Sequence, residues 1–329
     1  MEPQLRRTAP NAALIRNTML SEIILHVGDS PQARAQATRN LYVAMGSGSG
    51  EQFTPWLRLT DGSPLLAHSI VRGELDATFM NPSALLTQAY RGVGIFREAL
   101  PVRVIASYPS WDRYLHAIHP RTGITSMQQL KEQRYPLRVS VRADATHGTR
   151  YLIDQILALY DFTLDDIVSW GGSLQLVGPP SDPIRMEALR TGEIDAIFDE
   201  GMKSWLDAAM AAGLRPIAFE EPVLQQLETI GWRRAGIDAG GPFGRFPHLT
   251  EACVGIDYGG WPLYTRADLP EDDVYLICDA LQARADTIPW EPGEYTGIPQ
   301  LYQITEATPR DVPLHPGAER WCRDHGIAL

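Results

Sequence analysis

The chain has few cysteines, no long apolar run and a deficit of positive charge. Cys253, Cys278 and Cys322 form no C-x-x-C pair, so the sequence predicts neither a disulfide framework nor a zinc site. No stretch approaches the about 18 consecutive apolar residues that a membrane helix needs, and we expect no membrane insertion. Forty acidic residues against 29 basic ones give a net charge of -11, which argues against a nucleic-acid partner.

Motifs for tightly bound groups are also missing. The sequence has no P-loop, no H-E-x-x-H and no G-x-S-x-G motif, so we expect no cofactor and no metal. His116 and His119 are three residues apart on a predicted strand, where their side chains point to opposite faces. The sequence therefore contains no recognisable catalytic or metal-binding motif.

The positive features begin with an alternation of short apolar runs and helical patterns, which predicts an α/β fold. The first predicted strand is Ile23 to Val27, closed by a turn over 28–31 that leads into a helix near Pro31. Further strands are predicted at 102–107, 114–118 and 137–141. The last of these is followed by the loop 144–149 and an amphipathic helix through Tyr160.

One ten-residue segment occurs twice. Residues 70–79 read IVRGELDATF and residues 189–198 read LRTGEIDAIF, an offset of 119 residues between Asp76 and Asp195. In each copy a helix ends at glycine and Glu-x-Asp turns into a buried strand. At 329 residues two domains are expected. We therefore predict lobe I over 1–107 plus 262–329 and lobe II over 108–261, with crossing segments near 107–114 and 255–262.

The C-terminal tail and three shorter segments resemble one receptor family. The tail runs Pro313-Leu314-His315-Pro316-Gly317-Ala318-Glu319-Arg320 and continues to Ile327. Together with 266–270, 123–126 and 148–150, it resembles the TAXI family of TRAP-transporter solute receptors. The resemblance covers about 23–327. It implies a type 2 periplasmic binding-protein-like fold, each lobe a mostly parallel sheet flanked by helices, with a ligand cleft between lobes that closes by a hinge.

Candidate binding residues follow from the rule that ligands in open α/β sheets sit outside the carboxyl ends of strands. The helix start near Thr146 offers backbone N–H groups and a positive dipole end that suit a small carboxylate, with Thr146 as the expected cap. The loop 81–83 is expected to oppose it. The complete ligand-binding set is Asp29, Ser30, Asn81, Ser83, Tyr108, Trp111, Thr146, His147, Gly148, Thr149, Asp199 and Glu200.

Arginine suits bidentate carboxylate recognition, and four arginines lie near predicted strand ends: Arg142, Arg150, Arg113 and Arg58. Each alone is more typical of a solvated surface charge. Five aromatic residues in crossing segments or loops are compatible with an aromatic-lined cleft, although packing is the more common role for any one of them. They are Tyr108, Trp111, Trp170, Tyr258 and Trp261.

The expected function is therefore a solute-binding protein for a small organic anion, with a membrane permease as partner. The alternative is a cytosolic enzyme on the same fold, such as a decarboxylase or hydrolase of a small aromatic acid, using His147 with Asp199 or Glu200 for proton transfer. A second alternative is a cytosolic ligand sensor. No secretory signal is recognisable, which indicates a cytoplasmic location, whereas the resemblance implies a periplasmic one after removal of a leader.

Overall fold

The computed structural model describes residues 12–29, 45–46, 59–60, 64–238 and 246–329. The strands of this part are β1 (Met45–Gly46), β2 (Leu59–Thr60), β3 (Thr78–Phe79), β4 (Val102–Tyr108), β5 (Arg113–Ile118), β6 (Arg138–Arg142), β7 (Ser173–Val177), β8 (Ala196–Asp199), β9 (Arg215–Ile217), β10 (Arg234–Ile237), β11 (Cys253–Asp257) and β12 (Trp261–Arg266). The helices are α1 (Ala12–Asp29), α2 (Leu66–Val71), α3 (Ser83–Arg91), α4 (Met127–Gln133), α5 (Gly148–Leu159), α6 (Leu164–Ser169), α7 (Pro183–Thr191), α8 (Leu206–Ala211), α9 (Glu221–Thr229), α10 (Glu271–Arg284) and α11 (Pro316–Asp324). The expected α/β class is confirmed.

The chain divides into two compact units. Unit 1 comprises Met1–Met80, Leu100–Trp111 and Gly260–Leu329, and unit 2 comprises Asn81–Ala99 and Asp112–Gly259. Two of the unit boundaries fall inside the segments 107–114 and 255–262. The segment 81–99, which the sequence assigned to lobe I, groups with unit 2.

The first predicted strand is wrong. Ile23 to Val27 belongs to α1, an 18-residue helix that ends at Asp29. Its buried residues Ile15, Met19, Ile23 and Val27 recur every four positions, which places them on one helical face. A short, mainly apolar segment fits either a strand or a buried helix segment, and the four-residue spacing from Ile15 to Val27 decides for the helix. Ser30 and the helix predicted from Pro31 lie outside the described residues.

Unit 1 contains an antiparallel sheet in the order β3-β12-β4. The C-terminal tail extends its edge, because Val104 N–H donates to Pro313 O at 3.0 Å and His315 N–H donates to Val104 O at 2.8 Å. His315 Nδ1 then accepts from Gly317 N–H at 3.1 Å and caps α11. A Cβ on Gly317 would come within 2.3 Å of Glu271 O, so only glycine allows α11 to approach α10 this closely. The tail motif thus has a structural role in unit 1.

Unit 2 contains a mixed sheet in the order β10-β11-β5-β8-β6-β7, with β9 paired to β5. Only β6/β7 and β6/β8 pair in parallel, while β5 runs antiparallel to β8, β9 and β11. The expected mostly parallel arrangement therefore holds for three adjacent strands only. Helix α5 buries Leu152, Ile153, Ile156 and Leu157.

The two copies of the repeat lead into strands of different sheets. Asp76 precedes β3 in unit 1 and Asp195 precedes β8 in unit 2. In both copies the helix ends at a glycine of positive φ, 71° at Gly73 and 72° at Gly192. This is the left-handed helix end that the sequence predicts. In the described part of the chain, no helix combines the length and apolarity that crossing a bilayer requires.

Candidate functional site

Strand register gathers polar residues at one edge of the unit 2 sheet. Strands β6 and β8 run parallel, and β5 runs antiparallel to both β8 and β11. The carboxyl ends of β6, β8 and β11 therefore meet the start of β5. The residues at this edge include Arg142, Asp199, Glu200, Asp112, Arg113 and Asp257.

Two buried arginines neutralise the carboxylates that follow β8. Arg185 is fully buried, and its Nη1 lies 2.5 Å from Asp199 Oδ2, while its Nε donates to Ser140 Oγ at 2.9 Å. Arg142 Nη2 donates to Glu200, and Arg142 Nη1 donates to Gly178 O at 2.7 Å. Burial works against the charged form of Arg142, but the charges of Glu200 and Asp199 outweigh it and raise the pKa of Arg142.

A second carboxyl group lies beside Glu200. Asp112 is buried and accepts hydrogen bonds from Gly201 N–H at 3.0 Å and from Arg113 N–H at 2.7 Å. Burial, and then the charge of Glu200, raises the pKa of Asp112 well above its ordinary value. Burial also raises the pKa of Glu200, against the opposing charge of Arg142. Desolvation and the repulsion between like charges both act against ionisation of this pair of carboxyl groups.

A chain of polar contacts continues along the edge towards α3. Arg113 Nη1 donates to Asp257 Oδ1 at 2.9 Å, and Arg233 Nε donates to Asp257 Oδ2 at 3.0 Å. Arg233 Nη2 also donates to the hydroxyl of Ser83, the first residue of α3. Ser83, which the sequence named as a ligand contact, therefore holds an arginine within unit 2.

Gly148 is the point at which the loop before α3, the end of β11 and the start of α5 meet. A Cβ there would come within 2.7 Å of both Asn81 O and Tyr258 Oη, and 2.8 Å of Leu85 Cδ1. The next residue, Thr149, is fully buried, and its hydroxyl donates to Tyr258 Oη at 3.1 Å. The sequence expected 81–83 to oppose the α5 start across a cleft, whereas both lie in unit 2 and touch.

The residue that caps α5 is His147 rather than Thr146. His147 Nδ1 accepts from Thr149 N–H at 3.2 Å and contacts Thr149 Oγ1 at 3.1 Å. Thr146 is exposed and donates through both its N–H and its hydroxyl to Asp144 Oδ1, each at 2.8 Å. The backbone N–H of Thr149, which we expected to donate to a ligand carboxylate, therefore donates to the imidazole of His147. The backbone of His147 is extended, so its side chain reaches the residue two positions ahead.

The proposed proton-transfer residues have structural partners. His147 caps a helix through Nδ1, Asp199 is paired with Arg185, and Glu200 is bonded to Arg142. Each side chain predicted for proton transfer therefore holds a neighbouring group within unit 2.

Other residues named from the sequence lie elsewhere. Tyr108 and Trp111 are buried in unit 1, and Asp29 ends α1 in the same unit. The ring centroids of Trp170 and Phe162 are 5.4 Å apart. Both rings line a surface cavity of about 630 Å³, together with Lys131 and Arg134. The expected binding set is therefore divided between the units.

Some buried polar atoms at the unit 2 edge have no hydrogen-bond partner among the described residues. They include Arg142 Nε, Arg185 Nη2 and Asn81 Oδ1. Arg142 Nε lies 3.6 Å from Asp199 Oδ1, beyond hydrogen-bonding distance. Unsatisfied buried polar groups are costly, so this edge can gain free energy from a ligand that supplies the missing partners.

Sequence reasoning missed several members of this cluster. Arg185 lies in the first turn of α7, where the sequence pattern looks like that of an exposed helix, yet its side chain is fully buried. Asp112 and Asp257 flank the boundaries of the units, and only the pairing of β5 with β11 brings Asp257 opposite Arg113. No local spacing signals either contact.

The family of the chain follows from residues 58–326, which match the model of the NMT1-like family. The chain belongs to the NMT1-like family. Similar solved structures include XAC2383 from Xanthomonas citri bound to ATP, at 12% identity over 94% of this chain and 91% of that chain, with a TM-score of 0.41. Lactococcal OpuAC complexed with glycine betaine matches at 11% identity over 95% and 92%, with a TM-score of 0.38.

A third similar structure is a putative sulfonate-binding protein SsuA from Methylobacillus flagellatus KT. It is 12% identical over 94% of this chain and 82% of that chain, with a TM-score of 0.36.

Proposed function

We propose that this member of the NMT1-like family is a solute-binding protein whose unit 2 edge holds the anionic group of a small organic molecule. The observation that carries the proposal is the set of buried polar atoms without partners at that edge. Arg142 Nε and Arg185 Nη2 are donors, so the group they lack is an acceptor. A carboxylate supplies two acceptor oxygens and a charge that guanidinium groups bind strongly.

The rest of the edge is suited to receiving such a group. Burial raises the pKa of both Asp112 and Glu200, which disfavours negative charge where an anion would enter. Asn81 can turn its amide to present either oxygen or nitrogen, so it can follow the polarity of the solute. Burial keeps these contacts out of water, which strengthens each of them.

The finer assignment is a TAXI-type receptor that delivers its solute to a membrane permease. It is supported by the C-terminal tail motif, in which His315 and Gly317 dock α11 on α10. In such a receptor units 1 and 2 correspond to two lobes, and closure at 107–114 and 255–262 stays a prediction.

Identification of the solute and one matched pair of variants test the proposal. Small molecules that co-purify with the protein are identified by mass spectrometry and then titrated by calorimetry. Arg142→Lys keeps the positive charge beside Glu200 but removes the planar fork, and we expect about 10- to 150-fold weaker binding from the loss of one charged hydrogen bond. Arg138→Lys is the control, since Arg138 begins the same strand at the opposite edge and bonds to Asp195.

Wild-type affinity in Arg142→Lys would remove this edge from the binding site. Equal weakening in both variants would mean that strand β6 transmits a general change instead of making a contact.

A further inference from the structure

An aromatic cluster in unit 1 lies where β4 ends and β12 begins. Tyr108 and Trp261 are register partners, and their ring centroids are 5.7 Å apart. Trp290 stacks on Tyr108 at 6.1 Å with an interplanar angle of 11°, and Tyr295 stacks on Trp290 at 4.1 Å. Tyr108 is 1% exposed and Trp261 is 8% exposed, so the cluster is desolvated.

A cation from α1 occupies this cluster. The guanidinium carbon of Arg16 lies 3.4 Å from the centroid of a Trp261 ring, and Arg16 is 4% exposed. The neighbouring Ile15 and Met19 are fully buried, and they fix the face of α1 that carries Arg16 towards the rings. A guanidinium over the face of tryptophan is the strongest common arrangement of a cation–π contact.

The surroundings of the cluster favour positive charge. Burial, and then the charges of Glu291 and Glu294, raises the pKa of Tyr108, while the charge of Arg16 acts in the opposite direction. Glu294 also accepts from Trp111 N–H at 2.8 Å, which fixes it in the same part of unit 1. The charges of two acidic residues therefore act on a buried aromatic cluster, where the low dielectric strengthens their attraction for a cation.

Two buried donors in the cluster remain unsatisfied. Tyr108 Oη and Trp261 Nε1 have no hydrogen-bond partner within the part of the chain that the structure describes. Indole N–H is a donor only, and a guanidinium has no acceptor, so Arg16 cannot satisfy Trp261 Nε1. Arg16 therefore meets the face of the Trp261 ring and leaves its indole N–H unsatisfied.

We propose that this cluster is a binding site for an organic cation, and that Arg16 is its built-in occupant. Helix α1 lies outside the residues 58–326 that match the family model, so the occupant comes from a segment that the family match does not include. An external cation competes with the side chain of Arg16, while the apolar face of α1 keeps the helix docked.

Propylguanidinium, which copies the head of the arginine side chain, is the probe. We expect Arg16→Ala to bind it about 30-fold more tightly than the wild type, the factor that corresponds to a desolvated cation–π contact. Arg284→Ala is the matched control, since Arg284 also contacts α1, with Nη1 lying 3.6 Å from Glu22 Oε2. This control should bind like the wild type. Titration is followed by tryptophan fluorescence.

Two further measurements keep the test decisive. Propylurea, a neutral molecule of similar shape, should bind Arg16→Ala at least about 10-fold more weakly than propylguanidinium, because the site selects charge. If Arg16→Ala is too unstable to titrate, millimolar propylguanidinium should still raise its unfolding temperature and leave that of Arg284→Ala unchanged. Equal affinities in all three proteins, or no temperature shift in Arg16→Ala, would overturn the proposal.

Discussion

The equivalent aspartates of the two copies of the ten-residue repeat lie in opposite environments. Asp76 of unit 1 is 69% exposed in its side chain and pairs with Arg266 at 2.8 Å. Asp195 of unit 2 is 7% exposed in its side chain and receives hydrogen bonds from Arg121 at 2.9 Å and from Arg138 at 2.7 Å. The local turn is shared, so the difference comes from what each sheet places beside it.

The difference continues to the ends of the following strands. Strand β3 leads through Met80 to the cis peptide between Asn81 and Pro82, whereas β8 leads to Asp199 and Glu200, each held by a buried arginine. In unit 2, charged side chains are buried both within the repeat, at Asp195, and directly after it, at Asp199 and Glu200. Their desolvation costs free energy. Buried ion pairs contribute little net stability, and their retention is compatible with a binding role.

Breaking the buried ion pair after the second copy should give the largest effect. Arg185→Met leaves Asp199 charged and buried, and we expect a loss of about 3 to 5 kcal/mol in unfolding free energy, measured by urea denaturation. Arg266→Met removes the pair with the exposed Asp76 of the first copy and should cost only about 0 to 1 kcal/mol. Losses within 1 kcal/mol of each other would erase the contrast between the copies. Arg185→Met/Asp199→Leu should be more stable than Arg185→Met, because the buried carboxylate that lost its Arg185 partner is also removed.

Substitution of the repeat aspartates themselves should give a smaller difference in unfolding free energy between the two copies. Burial raises the pKa of Asp195, but hydrogen bonds from Arg138 and Arg121 outweigh burial and lower it below its ordinary value. Asp195→Asn should cost about 1 to 3 kcal/mol near neutral pH, and Asp76→Asn less than about 0.5 kcal/mol. Because the folded pKa is lowered, the advantage of the wild type over Asp195→Asn is fully present above the unfolded pKa of about 3.9 and is lost as the pH falls below it. An advantage that stayed constant down to pH 2 would contradict this account.

The glycines that end the repeat helices should behave alike. Alanine at either position is forced to a positive φ, which costs roughly 1 to 2 kcal/mol. A Cβ at Gly73 meets nothing within 4 Å, and one at Gly192 meets Arg121 Nη1 at 3.1 Å, the far end of a flexible side chain. Thermal unfolding of Gly73→Ala and Gly192→Ala should therefore give losses that agree within about 0.5 kcal/mol. A clearly larger loss of unfolding free energy in Gly192→Ala would show that the arginine side chains around Asp195 cannot move to make room for the Cβ.

Local patterns predicted much of the scaffold. The helix after residue 147, the strands at 102–107 and 114–118 and the paired Gly-Glu-x-Asp turns are all present close to their expected bounds. Apolar periodicity and glycine at a helix end act over a few residues, so a sequence records them directly. The strand predicted at Ile23 to Val27 was wrong because a segment with four apolar residues cannot distinguish a strand from part of a long helix.

The candidate sites depended on side-chain geometry and on contacts between distant segments, which sequence patterns do not record. His147 takes the cap because its imidazole reaches the Thr149 amide, while the Thr146 hydroxyl finds Asp144 first. Segment 81–99 joins unit 2 because Gly148 leaves room for the carbonyl of Asn81.

The sequence by itself determined the α/β alternation, the repeated turn and the C-terminal motif, since each depends on neighbouring residues. Only the tertiary structure decided which charges are buried. Arg185, Arg142 and Asp112 lie in segments that look like ordinary surface chain, and they are buried because β6, β8 and β11 end at the edge where β5 begins. The free energy of burying a charge depends on the partners that the fold brings to it, and no spacing along the chain encodes those partners.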